Sequence, residues 1–174
     1  MNRMFLKIFL VLSFNVAAQN FQLKIIDPIL CIDYERNQLI VIDDSAYQIQ
    51  ISLTDKKAIR KPLFWDSNLT FKELRSEFVP ISEKGSPIYF VDRGCGWVCI
   101  LKNDSIVRVD RSFHHQNQFG GTFFVHHGTP HIFGGYGLFT YKNFITKYDK
   151  NLKQWYLENE GARFLYRENM IFSK

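Results

Sequence analysis

Beyond a short apolar run near its start, this 174-residue sequence lacks anything close to the roughly 20 consecutive apolar residues that a membrane-spanning helix needs. It has no low-complexity tract and no run of basic residues. Its 22 Lys and Arg are scattered among 17 Asp and Glu, for a formal net charge of +5. No stripe of charge is present to track a phosphate backbone, so nucleic acid is not an expected partner. Cysteine is scarce: with only Cys31, Cys95 and Cys99, at least one thiol stays unpaired within the chain. Cys95 and Cys99 flank Gly96-Trp97-Val98 in an apparent strand, too far apart along it to bridge comfortably. Buried thiols behaving as small apolar side chains are the expectation, and a bridge from Cys31 to one of the others stays open. No serine stands in a Gly-x-Ser-x-Gly setting. No Cys pair, His-Glu motif or carboxylate cluster makes a ligand set. Gly134-Gly135-Tyr136-Gly137 leads into another strand pattern rather than a helix, which excludes a phosphate loop. No catalytic residue, metal or cofactor is therefore expected.

What is present begins at the N-terminus. Arg3 and Lys7 precede the apolar run Ile8 to Leu12, continuing to Phe14, and Val16-Ala17-Ala18 follows with small residues where a signal peptidase reads. Residues 1–18 thus read as a signal peptide cleaved before Gln19, its apolar core too short to span a bilayer. The ending Ala-Ala-Gln resembles bacterial export signals. Periplasmic, cell-surface or secreted location is the expectation. Without the leader, 20 basic residues stand against 17 acidic ones, a net charge of +3.

From Gln19 to Lys174 the chain reads as one domain of strands and turns. Phe is unusually frequent at 17 and Tyr adds 8, which favours β structure. Ile49, Ile51 and Leu53 alternate with Gln48, Gln50 and Ser52, the period of a half-buried strand. Three units emerge, led by Leu39-Ile42, Ile88-Val91 and Ile132-Phe133, with leading positions 49 and 44 residues apart. Their later turns carry Asp55, Asp104 and Asp149, spaced 49 and 45 apart. A period of about 40–50 residues suits a four-stranded propeller blade. The segment Leu69–Phe78 breaks the pattern as a short helix, capped by Asn68 or Thr70. Tyr166 to Phe172 echoes Tyr34 to Ile40, as though a further unit starts near Gly161.

The third unit carries the most specific pattern. An apolar strand meets Gly134-Gly135, a second runs from Phe144 to Tyr148, and Asp149-Lys150-Asn151 turns toward Trp155. Glycines within a strand pattern point to a bulge or to the close approach of another backbone. This unit resembles a kelch repeat, one blade of a galactose-oxidase-like β-propeller. In the first two units Asp43-Asp44 and Asp92-Arg93 stand where Gly-Gly would be, and neither has the late Trp. The resemblance implies an all-β fold: a partial kelch-type β-propeller of about three to three and a half four-stranded antiparallel blades. It also implies that Gly134, Gly135, Tyr148, Asp149 and Trp155 are structural, with Trp155 packing between blades. Propellers close with typically 4–8 blades, so open edges able to associate are expected.

Function is less legible. His114-His115, His126-His127 and His131 invite a metal reading, but Gly128-Thr129-Pro130 makes a hairpin turn of the His127–His131 interval. Of the three tryptophans, Trp65 lies beside Asp66 in a connecting loop and is the candidate ligand contact; Trp97 and Trp155 read as core. The expectation is a non-enzymatic, extracytoplasmic binding module for a protein or carbohydrate ligand. The alternatives are a fragment of a propeller enzyme, galactose-oxidase-like or sialic-acid-processing, and a truncated remnant without activity.

Overall fold

The computed structural model describes residues 9–16, 19–65, 70–94, 96–113 and 116–159, with side chains from Asp27 onward, Asn159 excepted. Strands dominate. β1 (Phe9–Val16) and β2 (Gln19–Ile26) form an antiparallel hairpin, so part of the expected leader is strand, while residues 1–8 and 17–18 lie outside the description. β3 (Ile29–Asp33), β4 (Gln38–Ile42), β5 (Tyr47–Ser52) and β6 (Ala58–Pro62) follow as an antiparallel meander, the first sheet. Ile29, Cys31, Ile40 and Ile42 are buried on one face, and Val41, Ile49 and Ile51 on the other. That two-sided burial explains the near-continuous apolar run of β4. The edge strand β6 carries Arg60, Lys61 and Pro62, residues that discourage further strand pairing.

A short β7 (Phe64–Trp65) and the one helix among the described residues, α1 (Phe71–Glu77), connect to the second sheet. Thr70 is the N-cap. Its hydroxyl accepts from the Glu73 N–H, and the Glu73 carboxylate accepts from the Thr70 N–H at 2.7 Å. This reciprocal box satisfies two otherwise orphaned donors and sets the start of the helix. Asn68, the other expected cap, lies outside the described residues. Leu74 anchors α1 in the core, and Arg75 pairs with Asp27.

β8 (Phe78–Ile81), β9 (Tyr89–Asp92), β10 (Val98–Lys102) and β11 (Ser105–Arg108) form the second meander, extended by β7 running parallel to β11. Trp97 precedes β10 rather than lying inside it, half-buried with the Arg108 guanidinium 4.3 Å from its ring centre. β12 (Thr122–His126) and β13 (Thr129–Phe133) open the third sheet. The small hairpin β14 (Tyr136–Gly137) and β15 (Thr140–Tyr141) is inserted next. β16 (Ile145–Asp149) and β17 (Gln154–Asn159) complete the order β12-β13-β16-β17. The fold is thus all-β, with successive antiparallel four-stranded sheets, and none of them closes on itself. The unit expected from Gly161 lies outside the described residues.

The three units read from the sequence correspond to the second, third and fourth strands of each sheet. Their first strands, β3, β8 and β12, complete the pattern. Sheets one and two meet through Ile29, Ile40, Ile42, Phe78, Phe90 and Ile106. Sheets two and three meet through Tyr89, Val91, Val98, Ile132 and Tyr148, with Phe123, Val125 and Trp155 alongside.

Candidate binding cavity

The motif residues of the third unit hold sheets together. Tyr148 and Trp155 face each other across β16 and β17, their ring centres 5.6 Å apart. The Tyr148 hydroxyl donates to the Val109 carbonyl at 2.9 Å, and Trp155 Nε1–H donates to the Gly96 carbonyl at 3.1 Å. Asp149 accepts from the N–H groups of Asn151 and Leu152, closing the turn before β17. Gly134 and Gly135 both have positive φ, and a Cβ on Gly135 would sit 2.7 Å from the Gln118 backbone. The doublet therefore lets a second backbone approach. The Gln118 side chain uses that proximity: Nε2 donates to the Gly134 carbonyl at 3.0 Å, and Oε1 accepts from Thr146 at 2.7 Å. At the equivalent places in the first two sheets, Asp43 accepts from the Ser45 N–H and Asp92 from the Gly94 N–H. A side-chain-closed turn redirects the chain there without glycine.

The other candidates are placed as follows. Trp65 is half-buried and packs on the cluster between sheets one and two. Cys31 is a buried free thiol, pushed up to about 12 by burial, so it stays protonated and inert as a nucleophile. Cys99 is buried in the same cluster, and Cys95 lies outside the described residues. His114 and His115 also lie outside them. His127-Gly128 is the two-residue turn between β12 and β13, with positive φ at both positions as a type I′ turn requires. His131 is buried against Phe124, ring centres 5.2 Å apart, with Nδ1 2.8 Å from the Thr129 carbonyl and Nε2 3.1 Å from Glu158. Burial opposes ionisation of Glu158. The charge of His131 and the hydrogen bond from Lys147 outweigh it and hold that carboxyl below its usual range. Among the described residues, no three His, Cys, Asp or Glu side chains form a group able to hold a metal ion.

The feature that sequence reasoning missed is a cavity of about 420 Å³ where the first strands meet. β3 and the residue after it supply Leu30, Cys31, Ile32 and Tyr34; β8 and the residue after it supply Pro80, Ile81 and Ser82; β12 supplies Phe123 to Val125. The Ser82 hydroxyl donates to the Ile32 carbonyl at 2.8 Å and ties the first wall to the second. Leu30, Ile32 and Tyr34 are large apolar side chains left 40–47 % exposed on this rim. The local signals were the runs Ile29–Ile32, Phe78–Ile81 and Thr122–Val125, short and without alternation, the second interrupted by Pro80.

No family model matches the chain, and no curated protein matches it. The chemistry of the cavity must therefore be read from its own wall. That wall is aromatic and aliphatic with one hydroxyl, the Tyr34 phenol and backbone groups for polarity, and it carries no carboxylate or imidazole. Such a surface, with the buried Cys31 thiol also in its lining, suits stacking and hydrogen bonding of a ligand. The shifted titratable groups serve structure instead. Tyr89, pushed up to about 12 by burial and the nearby Glu83 charge, donates to the Gly128 carbonyl. Asp55 and Glu73 are lowered by hydrogen bonds in a turn and a helix cap.

Proposed function

We propose that the chain is an exported, non-enzymatic binding module built from kelch-type propeller blades, taking a protein or carbohydrate ligand at the first-strand cavity. One observation carries this reading: three successive four-stranded meanders bring their first strands to a common cavity with an aromatic, aliphatic and hydroxyl-bearing wall. Blades of a propeller stand around a central channel, and on this reading β3, β8 and β12 would take the channel-facing place. Tyr34 at the rim offers a ring for stacking, and Ser82 a hydroxyl for orientation.

The binding reading is tested by titrating carbohydrate and peptide array hits against the wild type and Tyr34→Ala, a rim substitution that leaves the core untouched. A tenfold or greater loss of affinity is expected. Unchanged binding in Tyr34→Ala and in Leu30→Ser would remove the cavity from consideration, and turnover of any bound glycan would restore the enzyme reading. Export is tested by N-terminal sequencing of the protein recovered from its source. A chain starting at Gln19 is expected, which would also take β1 away from β2.

A further inference from the structure

The inserted hairpin β14–β15 ends in two bulky apolar residues held in water. Leu138 is 71 % exposed and Phe139 96 % exposed. Both have positive φ, +49° and +63°, as the two-residue turn between Gly137 and Thr140 demands. Asn and Gly fit such a turn without strain, whereas Leu and Phe do so against their steric preference. Neither folding nor turn geometry explains their presence. What sets this turn apart from the other positive-φ turns of the chain, at His127 and Lys56 among them, is that both tip residues are large, apolar and exposed.

Behind the tip, the rings of Tyr136 and Tyr141 pair across the hairpin at 5.1 Å, and Tyr136 bridges to Phe119, also exposed. Lys142 follows at once. The hairpin lies within an unusual stretch of sequence: from Arg111 to Lys147 there is no Asp or Glu, although 17 occur in the chain. Nothing acidic in that stretch would repel an anionic surface, and Lys142, next to the hairpin, would attract one, whereas Lys147 is already paired with Glu158 at 3.3 Å.

We propose that the Tyr136–Tyr141 hairpin is a membrane-insertion tip. Leu138 and Phe139 enter the interfacial zone of an anionic phospholipid bilayer, Tyr136 and Tyr141 lie at headgroup level, and Lys142 meets lipid phosphates. The order apolar tip, tyrosine pair, lysine follows the polarity gradient of a bilayer surface. A protein partner fits less well. The two tip side chains offer on the order of 300 Å², well under the roughly 800 Å² per side of a standard interface. They also project as a convex point rather than forming a face.

The test is sedimentation of the full chain with large unilamellar vesicles of phosphatidylcholine containing 30 % phosphatidylglycerol, compared with the double variant Leu138→Asn, Phe139→Gly. The variant installs the residues that the turn prefers. Its thermal midpoint is expected to hold or rise while its partition coefficient falls at least tenfold, a combination that misfolding cannot produce. Wild-type binding should weaken several-fold on pure phosphatidylcholine. Equal partitioning of the two proteins overturns the proposal and assigns any binding to another part of the chain. A wild-type dimer that the double variant dissociates, seen by sedimentation velocity without vesicles, overturns it in favour of a second copy of the chain.

Discussion

Gly135 combines a left-handed backbone with a close backbone neighbour. Its φ of +94° disfavours any side chain, and the atom an alanine would add falls 2.7 Å from the Gln118 backbone, which cannot rotate away. Gly135→Ala is expected to destabilise by roughly 2–4 kcal/mol in urea unfolding. Gly85 separates the two causes, with a similar φ of +82° and nothing within 4 Å of the added atom. Gly85→Ala should lose only the conformational part, about 1–2 kcal/mol. Equal losses at the two sites would mean that the approach of Gln118 does not constrain the sheet. A second residue-scale expectation concerns alkaline pH. Cys31 and Tyr89 are both pushed up to about 12 by burial, and Tyr148 is raised as well, by burial first and the Asp110 charge second. A group whose folded value is raised stabilises fully below its unfolded value and loses that contribution as pH climbs to the folded one. Stability should therefore fall from about pH 9, where an unfolded thiol ionises, and more steeply from about pH 10 with the tyrosines. Thermal midpoints between pH 8 and 11 check this, and Tyr89→Phe should flatten the slope above pH 10. A flat profile in the wild type would contradict the buried positions of all three groups.

At the scale of elements, α1 is the piece whose boundary depends on side chains rather than on sheet pairing. Thr70→Ala removes the hydroxyl that accepts the Glu73 N–H, and about 1 kcal/mol is expected to go with it. Leu74→Ala empties a fully buried site and should lose about 2–5 kcal/mol. A Thr70 effect as large as that of Leu74 would mean that the cap, not the anchor, docks the helix. A short helix near Leu69–Phe78 with Asn68 or Thr70 as its cap was readable because capping is local chemistry, and Thr70 takes that place. The strand at Tyr47–Ser52 was readable too, but not as the half-buried strand its alternation implied, because Gln48 and Gln50 are buried as well. The hairpin turn was readable but sits at His127-Gly128, with Thr129 and Pro130 already in β13. β3, β8 and β12 were not readable in the same way. Their sequences are apolar on both faces, so they lack a polar–apolar period of two, although β3 buries only Ile29 and Cys31 and leaves Leu30 and Ile32 exposed. A Pro within β8 argues against a strand until its edge position is known. The cavity inherits that blindness, because its wall consists of those three strands and its existence depends on how separate sheets meet. The Asp43 and Asp92 turns were likewise seen as departures from Gly-Gly. Only the hydrogen bonds to Ser45 and Gly94 show a different chemistry reaching a similar change of direction.

For the whole molecule, the second sheet has a neighbour on each face, and the two interfaces are held by different means. Toward the first sheet the contact is mainly aliphatic, with buried Gln48 donating to Asp104 at 3.0 Å across it. Toward the third it is aromatic and bonded to backbone: Tyr148 to Val109, Trp155 to Gly96, Tyr89 to Gly128, and the Gly128 N–H to Glu83. Trp155→Phe and Tyr148→Phe each leave a carbonyl without its partner and should each lose about 1–2 kcal/mol. Because the two rings touch, their effects should fail to add by 0.5 kcal/mol or more. Gln48→Leu acts on the opposite interface and leaves Asp104 without its donor. Combined with Trp155→Phe, it should add within about 0.5 kcal/mol if the second sheet is a rigid partition between two independent contacts. Urea unfolding of the single and double variants measures both cycles. A large coupling between Gln48 and Trp155 would show that the second sheet transmits strain from one face to the other. The first-strand cavity, which draws a wall from each of the three sheets, would then respond to substitutions in either interface.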